Sequence, residues 1–542
     1  MIRFLENSNP KRTILFICLI FVPLFFFFLG IPHLWDGDES YYAEVSHQML
    51  IRNDWIAPYF NYTSPSFDKP PFTFWVNLTC YKIFGMNEFA SRFGSALFAL
   101  FGIILVYLFG KRLFNKRTGI LAALMLGTGF GYFVESQMVL IDTTLTFFIA
   151  ATLYCFYRGY MDGKPSYLLI MGIPIGLGIL TKGPVALLLS GGAGLVFWFY
   201  MTLKEKKKSA QLFNWQLLGG FLIAAAICLP WYLAMWFRFK EAFLAAHFGY
   251  HMFTRFTTSI ESHGGSQWYF YLYYLVFLII GFLPWSANLV GALKMGISRR
   301  GDQRTLFLLI WTALVFIFFT IARTKLPGYV IPLLPPVALL VASWWDQILA
   351  DEQIKVNFWW GILCQLAGSL FLLIFMLVMH GKVPAGYESL YKAILLIPFS
   401  LIIASLITAI LFWRSRNRQI LFQATLVTFY LFWIFLYLTL SQQARFFQPV
   451  KELASDLKKY LHPKDKVVVS ILGAFSAPYY TDHPVAILYG KKEVAASLRM
   501  KERVYAMVDQ ATIAYLKEQR ESYYLISRHA QGYLISNRAM PK

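Results

Sequence analysis

Residues 14–50 read ILFICLIFVPLFFFFLGIPHLWDGDESYYAEVSHQML, an apolar run followed at once by an acidic knot. The first half has the composition of a membrane-spanning helix, which needs about 20 apolar residues. The second half places three carboxylates, Asp36, Asp38 and Glu39, just past the expected membrane exit. Acids this close repel one another, and a cation, a substrate or a metal has to offset that. The junction therefore predicts a chain that spans a membrane and keeps its chemistry immediately outside it. A basic pair, Lys11 and Arg12, precedes the run and no small-residue cleavage site follows, so it reads as a retained first span.

The rest of the chain agrees. Its 542 residues are 58% hydrophobic and only 14% charged, where a soluble domain carries about 25%. The net charge of +21 falls in short clusters between apolar runs rather than in a nucleic-acid-binding motif. The five cysteines form no CxxC pair, which argues against a disulfide framework or a zinc knot. About thirteen spans are expected, roughly at 13–31, 92–110, 118–134, 139–157, 166–181, 184–202, 215–236, 268–289, 305–322, 328–346, 357–379, 391–413 and 420–440. With the N-terminus in the cytoplasm, the basic clusters at 111–117, 204–208, 294–304 and 414–418 all fall inside, as the positive-inside rule requires. The segments 32–91, 237–267 and 323–327 then face outward.

Composition changes near residue 441. KELASDLKKYL and ATIAYLKEQ have helical spacing, while KVVVSIL, PVAILYG and VYAMV read as short strands. The expected architecture is mainly α: a polytopic helical bundle (1–440) with outer-face juxtamembrane helices, and a small extracytoplasmic α/β domain (441–542).

Several outer residues stand out, each with a plainer alternative. Asp38 can cap a helix over 39–50 lying on the membrane surface, with Tyr42, Val45 and Met49 on one face. In FDKPPFTFW, two prolines hold Asp68 and Lys69 in an extended segment, though an ordinary turn would read the same. Asp142 in MVLIDTTLTFF lies near membrane depth, where an acid is expensive and by default functional, unless it only caps a helix. Lys182 in GILTKGPVALL reads as a lysine snorkelling to the interface. The 237–267 segment carries His247, His251, Arg255 and His263. Their spacing matches no metal motif, whereas an arginine fork suits phosphate. ARTKLPGYVIPLLPP sets Arg323 and Lys325 before a proline-rich, irregular start to a span, with Tyr329 pointing into it.

Taken in order, DGDESYYAE, DKPPFTFW, IDTTLTFF and TKLPGYVIP resemble the polyprenyl-phosphate-sugar-dependent glycosyltransferases of the C-type membrane superfamily. The pattern is similar above all to the bacterial lipid A aminoarabinose transferases, and more distantly to the protein O-mannosyltransferases. The resemblance implies that Asp38 is the principal catalytic acid, Glu39 its partner and Asp142 a second essential acid. It implies donor or substrate contacts from Lys69, Arg255, Lys325, Tyr329 and Tyr42. Asp68 stands where relatives often have a glutamate that sometimes binds metal, so Asp68 and His251 are the candidate ligands of a divalent ion. His251 in YHMFTRF, however, is out of the family's register.

The implied reaction moves a sugar from undecaprenyl phosphate to lipid A or another envelope acceptor. Partners are then the lipid-linked donor, the acceptor and membrane lipids, with no nucleic acid. The implied location is a bacterial inner membrane, N-terminus cytoplasmic and C-terminal domain periplasmic. Protein O-glycosylation is the alternative acceptor chemistry. A polyprenyl-lipid transporter is the alternative class, although transporters place charge at the midplane and show internal repeats.

Overall fold

In a computed structural model, the opening apolar run forms a helix, Pro10–Phe26, capped by the side chain of Asn9 on the Lys11 N–H. The structure describes residues 2–62, 64–205, 214–259, 267–351, 353, 358–379, 388–415, 417–470 and 472–539. The expected His263 lies outside the described residues. Asparagine caps recur where the chain re-enters an apolar stretch. Asn87 starts Glu88–Leu113, Asn115 starts Lys116–Thr128 and Asn214 starts Trp215–Leu244. Each side chain accepts a backbone N–H three residues on, supplying one of the partners a helix start lacks.

Among the described residues, eight helices are long and apolar enough to cross a membrane, or up to ten if each of two bent pairs is one span. Several of the thirteen expected stretches take other forms. The stretches at 118–134 and 268–289 are each bent pairs, broken by 64° and 112°. Those at 13–31 and 166–181 form helices shorter than a full span. The helices pack through small residues: a Cβ on Gly110 would stand 2.8 Å from the Gly119 Cα. Pro327–Leu333 is a 3-10 turn leading into Leu334–Ala350, the irregular entrance expected from the prolines.

The described residues 237–259 of the segment expected as a loop are largely helical. Trp215–Leu244 breaks at Lys240 (φ 48°, ψ −127°) and continues as a π-helical stretch, Ala245–Thr254, that carries His247 and His251. Widened turns of this kind recur at functional sites.

The acidic helix spans Asp38–Ile51. It does not lie on a lipid surface as expected: Glu39, Tyr42, Glu44, His47 and Met49 are all buried. It is packed between the helix Phe72–Phe84 and the tail helix Ala477–Thr481. A small hairpin, β1 (Tyr59–Phe60) with β2 (Ser64–Pro65), follows.

The last apolar helix, Arg418–Phe447, leads into the tail. There β3 (Lys466–Val469), β4 (Val485–Ile487), β5 (Val504–Asp509), β6 (Tyr524–His529) and β7 (Gly532–Ser536) form one sheet in the order β4-β3-β5-β7-β6. The first three strands are parallel, joined through Lys491–Leu498, while β6 and β7 are an antiparallel hairpin on one edge. The three strands and two helices read from the sequence are all present. The β6–β7 hairpin was not foreseen. Its two-residue turn has Ala530 at φ 49° rather than the Asn-Gly or Asp-Gly that announces such turns.

Candidate active site

The acidic helix begins with Gly37 in the N-cap position, at φ 125°, a conformation that side-chain-bearing residues rarely adopt. That glycine changes the role of the next residue. Asp38 is not the cap expected from the sequence; it is the first helical residue and makes no capping hydrogen bond. Its side chain is accessible yet hemmed in by protein. Desolvation raises its carboxyl above the ordinary 3.8, with the Lys69 charge opposing and Asp68 reinforcing. Arg255 and Asp142 act on it more weakly. Asp38 thus faces the cluster of charges predicted from the outer segments.

The knot's other two acids are committed elsewhere. Asp36 accepts the backbone N–H groups of Phe475 (2.9 Å) and Ser476 (2.8 Å), fastening the tail domain. Glu39, expected as the partner of Asp38, is held by Arg92, Nε to Oε1 at 2.7 Å and Nη2 to Oε2 at 3.0 Å. It also accepts the N–H of Trp35 and of Val139. Arg92 spends its remaining donors on the carbonyls of Leu29, Pro32 and His33. The pair is fully buried and stitches the first membrane exit to two helices. Its geometry is that of a structural clamp.

Asp68 sits at the centre of the cationic side. Its Oδ1 is 2.6 Å from Lys69 Nζ, 3.1 Å from His251 Nδ1 and 3.4 Å from Arg255 Nη1. Burial alone would raise this carboxyl; Lys69 and then His251 hold it well below the usual carboxylate range. His247 is fully buried, Nδ1 against the Phe67 carbonyl at 2.7 Å, and braces the same segment. The metal expectation fits this donor set poorly. Two fixed cations already occupy the one Asp68 oxygen that His251 approaches, and among the described residues no group of three or more His, Cys, Asp or Glu could hold a metal ion.

Asp142 begins the helix Asp142–Tyr160 and is paired with Lys182 Nζ at 2.5 Å. The same ammonium lies 4.2 Å from the Tyr329 ring centroid. Lys182 therefore does not snorkel as expected; it neutralises Asp142 and contacts Tyr329. Lys325, expected at the site, is turned away. Its Nζ donates to the carbonyls of Phe319 (2.9 Å) and Thr320 (2.6 Å), at the C-terminal end of Gln303–Ile321. Burial, with Arg323 nearby, pushes it down to about 8. Tyr42 is buried beside the acids, its ring 6.0 Å from Phe74, and its phenol is pushed up by burial and then by Asp38, Asp68 and Asp142.

Glu135 was not singled out from the sequence. It lies in Phe130–Ser136, the outer half of a bent pair, in a stretch read as a short hairpin between spans. The signal that flagged Asp142, an acid inside an apolar run, applied equally here. Gly328 separates the two acids: a Cβ on it would lie 2.8 Å from Glu135 Oε1 and 2.9 Å from Asp142 Oδ2.

Asp68, Lys69, Lys182, His251, Arg255 and Tyr329 all wall one cavity of about 430 Å³. Its remaining wall is mostly apolar, from Phe248, Phe253, Phe256 and Phe319. A second, almost wholly apolar groove of about 530 Å³ runs between Asp142–Tyr160 and Val185–Glu205 and shares Leu188 with the first. One cavity is walled by charge and the other is apolar, and they meet at Leu188.

Residues 68–236 match the family described as dolichyl-phosphate-mannose-protein mannosyltransferase. The chain is 32% identical over 365 residues to an undecaprenyl phosphate-alpha-4-amino-4-deoxy-L-arabinose arabinosyl transferase of Enterobacter, covering 65% of this chain and 64% of that protein. A second transferase of the same description, from Proteus mirabilis, is 29% identical over 406 residues, covering 73% and 71%. The fold matches crystalline ArnT from Cupriavidus metallidurans bound to undecaprenyl phosphate, with a TM-score of 0.80, 22% identity and coverage of 98% and 99%. The chain thus spans just under two thirds of the Enterobacter relative in sequence, while the fold is shared end to end. In fold the chain is similar to crystalline ArnT along its whole length, and in sequence it is similar to the bacterial aminoarabinose transferases.

Proposed function

We propose that this protein transfers a sugar from undecaprenyl phosphate to lipid A or a comparable envelope acceptor, in the bacterial inner membrane. The N-terminus and basic clusters are cytoplasmic, and the site and tail domain are periplasmic. The observation that carries the reading is Lys69 and Arg255 together in the wall of one chamber that shares Leu188 with an apolar groove, with accessible Asp38 close enough to feel both charges. A lipid phosphate has two parts, and this pair of cavities offers a surface for each. The isoprenoid tail lies along the groove. The phosphate takes Lys69 and Arg255, whose charges otherwise rest on Asp68.

In the chemical step an acceptor oxygen attacks the anomeric carbon opposite the phosphate. The new carbon–oxygen bond forms as the carbon–oxygen bond to phosphate breaks, with its electron pair leaving on the phosphate and the centre inverting. Lys69 and Arg255 stabilise the charge that develops there, in a chamber walled by aromatic rings where such contacts are strengthened. A hydroxyl acceptor gives its proton to Asp38. A phosphate acceptor is already ionised, and Asp38 then orients it.

The test uses membranes supplied with labelled lipid-linked sugar and lipid A. Asp38→Asn is expected to express normally and to lose transfer, by about 10²–10⁴-fold if it acts as a base. Full residual transfer would remove Asp38 from the mechanism. Mass spectrometry of lipid A from cells with and without the gene identifies the product.

A further inference from the structure

The helix that opens with Asp38 carries a second charged junction, which the reaction just described does not use. His47 lies on it, 2% exposed, with a carboxylate at each ring nitrogen. Its Nδ1 is 3.1 Å from Glu44 Oε2, one turn back on the same helix, and its Nε2 is 3.3 Å from Asp482 Oδ1, in the tail. Glu44 is fully buried, and its Oε1 accepts a hydrogen bond from Gln48 at 2.7 Å. Among the described residues, His47 is the only basic side chain in an ion pair with Glu44. Asp482 follows the tail helix Ala477–Thr481 at φ 55° and also accepts from the Tyr62 hydroxyl at 2.7 Å. The other titratable groups here are committed or neutral partners. Tyr479 stands edge-on to the His47 ring at 6.0 Å, and Tyr81 donates to the Ala43 carbonyl. Arg52 donates to Gln48 and to the Tyr62 carbonyl, and His483 meets the Pro484 carbonyl.

A neutral imidazole has one N–H and one lone pair. With a carboxylate oxygen at both nitrogens, the neutral ring would turn its lone pair on one of them. The imidazolium meets both with a donor, and it supplies the buried Glu44 with the positive charge that such a carboxylate needs. We infer that His47 is a positioning residue for the helix bearing Asp38: a buried imidazolium that ties Glu44 on that helix to Asp482 of the tail, and loosens the tie when it gives up its proton. The inference rests on the proposed role of Asp38 in glycosyl transfer and deepens it by naming how the site responds to pH. The sign is fixed. The tie contributes while the ring is charged and is lost as pH rises and the proton leaves. Ionisation of Asp38 runs the other way, so turnover acquires an alkaline limb beside its acid one.

The experiment uses full-length protein in lipid nanodiscs. Hydrogen exchange, and turnover of undecaprenyl phosphate bearing 4-amino-4-deoxy-L-arabinose with lipid A, are followed from about pH 6 to about pH 9, across the range in which histidines titrate. After correction for the intrinsic pH dependence of exchange, protection over 38–51 and 477–481 should fall about two- to fivefold as pH rises, the worth of a partly exposed charge pair. The kcat should fall with it. Asp482→Asn keeps a residue that tolerates the left-handed backbone, and its amide can meet either form of the ring. In that variant protection and kcat should both lose this pH dependence, as they should in His47→Gln. An alkaline limb that survives in both variants overturns the inference. So does wild-type protection that stays level with pH. Protection that falls while kcat does not also overturns it, because the bridge then holds the fold without positioning the acid. Absence of turnover by wild type at every pH overturns the glycosyl-transfer reading instead, and exchange alone then decides the bridge.

Discussion

At the scale of single residues, the site was legible where a charge stood out against an apolar background. Asp38, Asp68, Lys69, Asp142, Arg255 and Tyr329 were read from the sequence; Asp68, Lys69, Arg255 and Tyr329 wall one chamber, Asp142 pairs with its wall residue Lys182, and Asp38 feels the charges of Lys69, Asp68 and Arg255. The errors have a common cause: a sequence shows that a charge is present and not what neutralises it. Glu39 is spent on Arg92 and Lys325 on carbonyls, while Lys182 turns inward to Asp142. Two predictions belong here. Desolvation holds the Asp38 carboxyl above 3.8, so at a given pH less of it is ionised than of a free aspartate. If Asp38 acts as base, kcat/KM rises with pH through that elevated value, and the acid limb lies above that of an unperturbed aspartate. The same shift stabilises the fold at acid pH, a contribution lost as pH climbs through the folded value. Lipid-linked sugar turnover measured across pH 4–8 checks this, and a limb persisting unchanged in Asp38→Asn would assign it to another group. Arg92→Ala strands Glu39 in the interior, so the cost should be about 3–5 kcal/mol. Thermal unfolding in detergent reads it, and an unchanged melting temperature would mean the clamp contributes nothing.

At the scale of elements, the structure departs from periodicity wherever the backbone is irregular. Stretches at 118–134 and 268–289 were read as single spans, yet both are sharply bent, and the first bend leaves Glu135 near Asp142, on either side of Gly328. The π-helical stretch that places His247 and His251 looked like a loop, because polar and aromatic residues interrupt the apolar pattern there. The proline-rich stretch was the exception, since proline announces its own irregularity. Within that turn Gly328 is the most constrained position. A methyl at Gly328 would lie under 3 Å from two carboxylate oxygens, one of them fixed by Lys182. Gly328→Ala should therefore displace Glu135, Asp142 or Tyr329. Misplacement of reacting groups by about 1 Å can cost about 10²-fold in rate. The expected result is normal membrane insertion with a loss of that order in kcat; wild-type turnover would show that the carboxylates tolerate a wider spacing.

At the scale of the whole molecule, the sequence suggested a bundle with a separate domain appended after residue 440. Bundle and sheet domain are both present, but one apolar core runs through the outer helix and the tail. It joins Leu34, Tyr42, Val45 and Met49 to Val450, Leu453, Val467 and Tyr505. Polar ties reinforce it. Asn61 exchanges two hydrogen bonds with the Val485 backbone, Tyr480 donates to Glu88 at 3.0 Å, and Asp36 holds the Phe475 and Ser476 amides. Such long-range ties leave no trace in composition or periodicity. Their consequence is that the tail fixes the helix bearing Asp38, two residues after Asp36. Asp36→Ala removes two amide partners, at about 1–3 kcal/mol for each group left unpaired. If the tail positions the catalytic helix, this variant should show faster hydrogen exchange over both 472–481 and 38–51, with kcat falling although Asp38 and Lys69 are intact. Loss of protection confined to 472–481, with turnover unchanged, would mean that the bundle alone holds the acid in place.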